Sequence, residues 1–236
     1  MDFKYKNYRI RRVHRQLEHL TEYLGVQPDT GHSVLIKVNE KDVEGRDFVH
    51  YEYDFIKKYP LDCLLTPVEL DSNNQRTVAV YFFPKASTIK QLAKKRNITL
   101  EEKYDLCLKI LHGMAQLNAR HIMLRILNSN NLMVTADGEV KFCDLTAALS
   151  EENESLLAWG FRIPESHYPY MSPEQTGRIK KTSDYRSDFY SLGICLFELF
   201  TGDIPYICTN ILDGLLKNRR VLKFNIKLTI NAKIWT

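Results

Sequence analysis

The apolar residues of this chain change period once, near residue 99, and that change limits the fold more than any other feature. Before it, Tyr8 to Val13, Glu22 to Val26 and Ser33 to Val38 are short strand-like runs separated by polar turns, with Gln27-Pro-Asp-Thr-Gly31 as a turn cluster. Phe48 to Tyr59 reads as a helix stopped by Pro60, and Thr77 to Phe83 is β-branched and aromatic, as a buried strand is. After it, Thr99-Leu-Glu-Glu102 is a capping box, and Tyr104, Cys107, Leu108, Leu111 and Ala115 recur at helical spacing as a one-sided amphipathic face. Leu132 to Val134 and Val140 to Phe142 flank Asp137-Gly138, a hairpin turn. A second helix, Phe189 to Thr201, closes at Gly202. The pattern predicts an α+β chain, with a β-rich first half and a mainly helical second half that contains one hairpin.

Composition narrows the classes. The 236 residues are 44% apolar and 26% charged, a globular rather than disordered mix. Lys and Arg number 33 against 29 Asp and Glu, a net charge of +4 that does not call for a nucleic-acid partner. The basic run Lys4, Lys6, Arg9, Arg11, Arg12 and Arg15 reads as a solvated strand edge. No apolar leader opens the chain, and the apolar stretch Tyr190 to Phe200 carries Glu198 and is too short to span a bilayer. Five cysteines without a CxxC give neither a disulfide framework nor a zinc site. The expectation is a reduced, cytoplasmic protein with no membrane partner.

Four segments then line up. Val34-Leu-Ile-Lys37 puts a lysine on an apolar strand, and Phe142-Cys-Asp144-Leu-Thr146 an aspartate just after the hairpin. Tyr170-Met-Ser-Pro-Glu174 precedes Asp188-Phe-Tyr-Ser-Leu-Gly193. In order and spacing these resemble the protein kinase superfamily, with Lys37 at the VAIK lysine, Asp144 at the DFG aspartate, Ser172-Pro173-Glu174 at APE and Asp188 opening the DxWSxG match. The wording around Ser172 to Arg178 and Asp184 to Gly193 is similar to the kinase-like domain that opens large signalling proteins with ATPase, GAF and histidine-kinase modules. The resemblance implies a two-lobed fold: a small antiparallel β-rich N-lobe over 1–84 and a mainly helical C-lobe over 85–236. It further implies nucleotide contacts from Lys37, its ion-pair partner Glu52, and Tyr81, Phe82 and Phe83. Asn131 and Asp144 would hold metal, and Glu174 and Asp188 would be structural, with Asp188 capping the Phe189 helix and bonding the backbone near Arg125.

The departures from the family pattern bear directly on activity. Counting back from Asn131, the His-Arg-Asp triplet of the family falls on Leu124-Arg125-Ile126, so the catalytic base position holds isoleucine. No Asp or Glu occurs between Leu106 and Ala136, and Asn128 replaces the lysine expected near the γ-phosphate. Losing a general base typically costs roughly 10²–10⁴-fold in rate. The glycine-rich loop is absent, since Arg11 to His19 contains no glycine and Glu18 would repel phosphate. Thr146 stands at the DFG glycine.

These departures favour a pseudokinase acting in binding or regulation with protein partners in signalling, with ATP and Mg²⁺ held weakly or not at all. The alternatives are an active atypical Ser/Thr kinase and a non-enzymatic fragment of a larger signalling protein. Arg125 would receive a phosphate or acidic group from the segment between Asp144 and Glu174, where Ser150, Ser155, Ser166, Tyr168 and Tyr170 are candidates. After Gly202 only 34 residues remain, with a short helix expected over 210–218 and an extended stretch over 222–230. The C-lobe is therefore expected to lack its last helices, leaving Glu174 without its usual arginine.

Overall fold

In the first half, β1 (Arg9–Gln16), β2 (Leu20–Val26) and β3 (Ser33–Glu40) run antiparallel. Helix α1 (Phe48–Lys58) follows, then β4 (Pro67–Ser72) and β5 (Arg76–Phe82), completing a sheet of order β1-β2-β3-β5-β4. The computed structural model describes residues 3–16, 20–41, 46–83, 87–95, 97–150, 163–176 and 183–206. The expected elements over 210–218 and 222–230, as well as Glu18 and Ser155, lie outside the described residues.

Strands β3 and β5 are buried on both faces, which explains their Val- and Ile-rich runs. Leu35, Ala79 and Tyr81 pack with Val49, Phe55 and Ile56 of α1. On the other face Val34, Ile36, Val38, Val78 and Val80 are closed by Tyr5, with Phe3 and Tyr8 around it. That N-terminal cover is fastened by Tyr5 and Tyr8, whose hydroxyls donate to Glu69 of β4 at 2.9 and 3.1 Å.

The second half begins with β6 (Ser87–Thr88), which adds to the hairpin β7 (Leu132–Val134) and β8 (Val140–Phe142) in a three-stranded sheet. Gly138 turns that hairpin at φ 80°. Helix α2 (Ile89–Ala93) starts on a Thr88–Gln91 capping box, and α3 (Leu100–Asn118) on the expected Thr99–Glu102 box. Helix α4 (Tyr185–Thr201) ends at Gly202, which takes φ 89°.

Two expectations are corrected. The face of α3 that packs inward is Leu106, Ile110, Gly113, Met114 and Leu117, not the Tyr104–Leu108–Leu111 face, where Leu108 is 66% exposed. The helix is apolar on two sides, and close approach of β8 selects between them: a Cβ on Gly113 would overlap the Phe142 ring. Helix α4 begins four residues earlier than predicted. Its N-cap is Asp184, which accepts the Arg186 N–H at 2.9 Å, so Asp188 lies within the first turn and is free for another task.

Candidate functional site

A cleft of about 190 Å³ opens between the five-stranded sheet and the β7–β8 hairpin, smaller than the roughly 300–1,000 Å³ of most ligand pockets. Leu35, Phe83, Met133 and Cys143 give it apolar wall, and Arg15, Glu22, Lys37 and Asp144 its charge. Lys37, 1% exposed, donates to Glu52 Oε1 at 2.9 Å and Oε2 at 2.7 Å. Glu52 also accepts the Tyr81 hydroxyl at 2.9 Å and the Leu145 N–H at 2.7 Å, so both oxygens are fully used. Burial disfavours the Lys37 ammonium, but the carboxylates of Glu52, Asp144 and Glu22 outweigh it and hold its pKa above the ordinary lysine value.

Asp144 follows β8 in a left-handed conformation, φ 65°, that aims its carboxylate into the cleft. Oδ1 accepts the Thr146 hydroxyl at 2.6 Å, so the residue at the DFG glycine position secures the aspartate. Oδ2 accepts from Arg15 Nη1 at 2.6 Å and faces the Asn131 amide at 3.4 Å. The second nitrogen of Arg15 donates to Glu22 Oε1 at 2.7 Å. Burial opposes ionisation of Asp144, yet Arg15 and Lys37 hold its carboxyl well below the usual range.

Arg15 was read from the sequence as a solvated edge residue, and the structure corrects this: its side chain is only 20% exposed. The β1–β2 register sets Arg15 opposite Glu22, which lines the cleft, so the Arg15 side chain lies on the cleft face of the sheet. Its cross-strand partner is Glu22, and this opposite-charge pair is the signal the sequence held.

The degenerate loop leads into Asn130 and Asn131, which line the cleft. Ile126 is 1% exposed, and its carbonyl accepts the amides of Asn128 at 3.0 Å and Asn131 at 3.1 Å. Asp188 accepts the N–H groups of Leu124 at 2.6 Å and Arg125 at 2.8 Å, which steadies Arg125 at φ 65°. Burial raises the Asp188 pKa to about 6, against the pull of those two donors. Glu174 accepts the Ser187 hydroxyl at 2.7 Å.

Of the three aromatics assigned to nucleotide contact, Phe83 lines the cleft. Tyr81 is buried with its hydroxyl committed to Glu52, and Phe82 points to the opposite side, 44% exposed and edge-on to His32 at 5.5 Å. Alternation along β5 accounts for the difference. Among the modification candidates, Ser150 and Tyr170 are buried, the latter donating to Glu198 at 2.5 Å, whereas Ser166 lies exposed at the cleft.

The residues present do not fit a divalent cation in this arrangement. Both oxygens of Asp144 are engaged, one by a guanidinium, and no group of three or more His, Cys, Asp or Glu is arranged for a metal among the described residues. No helix among them is long and apolar enough to cross a membrane.

Comparison with known proteins agrees with this geometry. A family model described as protein tyrosine and serine/threonine kinase matches residues 19–223. A probable serine/threonine-protein kinase of Clostridium perfringens is 30% identical over 126 residues, 52% of this chain and 18% of the relative. The probable serine/threonine-protein kinase PknB of Lactococcus lactis is 32% identical over 125 residues, 52% and 19% of the two chains. Mitogen-activated protein kinase kinase 3 of Arabidopsis thaliana is 37% identical over 101 residues, 42% and 18%. The match spans about a fifth of the length of each of these relatives. With the antiparallel sheet, the buried Lys37–Glu52 pair and the family match in agreement, the chain belongs to the protein tyrosine and serine/threonine kinase family.

Proposed function

We propose that this chain is a pseudokinase: a kinase fold that binds or regulates protein partners in signalling, with phosphoryl transfer impaired and ATP held weakly. The observation that carries the reading is Ile126, an aliphatic side chain buried where the family places its general base, in a stretch of sequence without an acid. Loss of the base position is expected to lower turnover by roughly 10²–10⁴-fold. Lys37, Phe83, Asn131 and Asp144 are the side chains proposed to meet a nucleotide. The test combines a thermal-shift titration with ATP, with and without Mg²⁺, and transfer of labelled phosphate to a generic Ser/Thr substrate. Little shift and no transfer is the expected result; strong metal-dependent stabilisation with transfer would overturn it.

One observation favours an active atypical Ser/Thr kinase. The Lys37–Glu52 pair is assembled and tied to Leu145, beside Asp144, as positioning chemistry requires. On that reading Asp144→Ala removes whatever transfer is measured, and activity that survives the substitution comes from a contaminant.

A further inference from the structure

Glu22 on β2 and Asp144 after β8 approach each other across the charged end of the cleft, with the guanidinium of Arg15 between them. Each carboxylate takes a different nitrogen, at 2.7 and 2.6 Å. The fork of Arg15 thus bridges two anions that are otherwise almost fully buried, at 6% and 4% side-chain exposure. Around it, two cations, Arg15 and Lys37, meet three carboxylates, those of Glu22, Glu52 and Asp144. Without Arg15 a single ammonium would face all three, and Glu22 Oε1 and Asp144 Oδ2, released from the guanidinium, would stand near Asn131 as hard oxygen donors of the kind a divalent cation takes. Among the described residues the Arg15 Nε–H is buried without an acceptor, and such a group calls for a ligand or water oxygen.

We infer that Arg15 stands in the place of a divalent cation as the counterion of Asp144, so that a ligand entering this cleft is bound through the guanidinium rather than through a metal. The inference deepens the pseudokinase reading and rests on it for the nature of the cleft, but it concerns the metal rather than the missing base. Arg15 belongs to β1, and its height in the cleft is set by the β1–β2 register that pairs it with Glu22.

Mn²⁺ alone, followed by electron paramagnetic resonance on the full chain, tests this directly. The wild-type protein is expected to show no Mn²⁺ site that depends on Asp144. Arg15→Gln is expected to gain one Mn²⁺ per chain with affinity raised roughly tenfold or more, and Asp144→Asn in that background to remove it. Mn²⁺ binding by the wild type that Asp144→Asn abolishes overturns the inference, as does a folded Arg15→Gln protein that binds none. Binding that survives Asp144→Asn lies elsewhere and leaves Asp144 metal-free, as inferred. The wild-type comparison decides the matter even where Arg15→Gln does not fold. Phosphate transfer is assayed separately: an Asp144-dependent Mn²⁺ site without transfer overturns only this inference, and transfer without such a site overturns only the pseudokinase reading.

Discussion

The N–H of Leu145 donates to Glu52 Oε1 at 2.7 Å, across 93 residues of chain. The same oxygen takes Lys37, and Oε2 takes Lys37 and Tyr81. One carboxylate thus joins α1, β3, β5 and the segment after β8, and it ties the sheet-rich half to the helical half. Substituting Glu52 with alanine strands a buried ammonium, whose next anion, Glu22, is 3.7 Å away. Chemical denaturation is expected to show a loss of about 3–5 kcal/mol for Glu52→Ala. The double variant Lys37→Met/Glu52→Leu should lose distinctly less than the two single losses combined, because neither member of the pair is left buried without the other. Additive losses would mean that the pair is not coupled.

Asp188 performs an architectural task at a distance from the cleft's charges. It accepts two successive backbone N–H groups, those of Leu124 and Arg125, and so holds the loop that carries Ile126. Asn at this position offers one acceptor oxygen where two are used. Asp188→Asn is therefore expected to cost about 1.5–3 kcal/mol, the value of a hydrogen bond to a charged group. Hydrogen exchange should quicken at the Leu124 and Arg125 amides before the rest of the protein responds. Unchanged exchange at both amides would count against the anchor.

His167 supplies a pH dependence whose sign is fixed by burial. It is 0% exposed, and burial lowers its pKa from the ordinary 6.5 to about 4. Between those values the unfolded chain takes up the proton and the folded one does not. The stability owed to neutral His167 is therefore complete above about pH 6.5 and is lost as pH falls towards 4, up to about 3 kcal/mol. Asp188 works in the opposite sense over part of the same range, since its raised pKa of about 6 favours the folded state at lower pH. The contribution of His167 is isolated by comparing wild type with His167→Phe: wild type should lose stability relative to the variant on acidification from pH 7 to 4.5. A difference independent of pH would show that the ring is not held neutral.

How far the sequence could be read depended on whether a residue's role follows from spacing or from tertiary placement. Lys37, Glu52 and Asp144 could be picked out because the family motifs have fixed intervals, and the α3 capping box because its chemistry is local. Arg15 could not, since its burial depends on Asp144, 129 residues away, and nothing in a run of basic residues shows which one meets a distant carboxylate. Strand β4 escaped notice because Pro67 opens it and its alternation is weak, with Val68 48% exposed. Asp184 and Asp188 are both plausible helix caps, and only the position of Leu124 and Arg125 shows that the second serves another segment.

The two faces of α3 offer the sharpest test of that distinction. Leu106, Ile110, Met114 and Leu117 follow the same helical spacing as Tyr104, Leu108 and Leu111, so periodicity supports either side equally. The structure buries Ile110 completely and leaves Leu108 66% exposed, two residues apart on one helix. Alanine is the best helix former, so replacing either residue leaves propensity nearly neutral and reports packing alone. Ile110→Ala is expected to cost about 2–5 kcal/mol in urea denaturation, through lost burial and the cavity left behind. Leu108→Ala should stay within about 0.5 kcal/mol of wild type. Comparable losses at both positions would show that the Leu108 face is packed as well, and would reinstate the face that the Tyr104–Leu108–Leu111 spacing predicts.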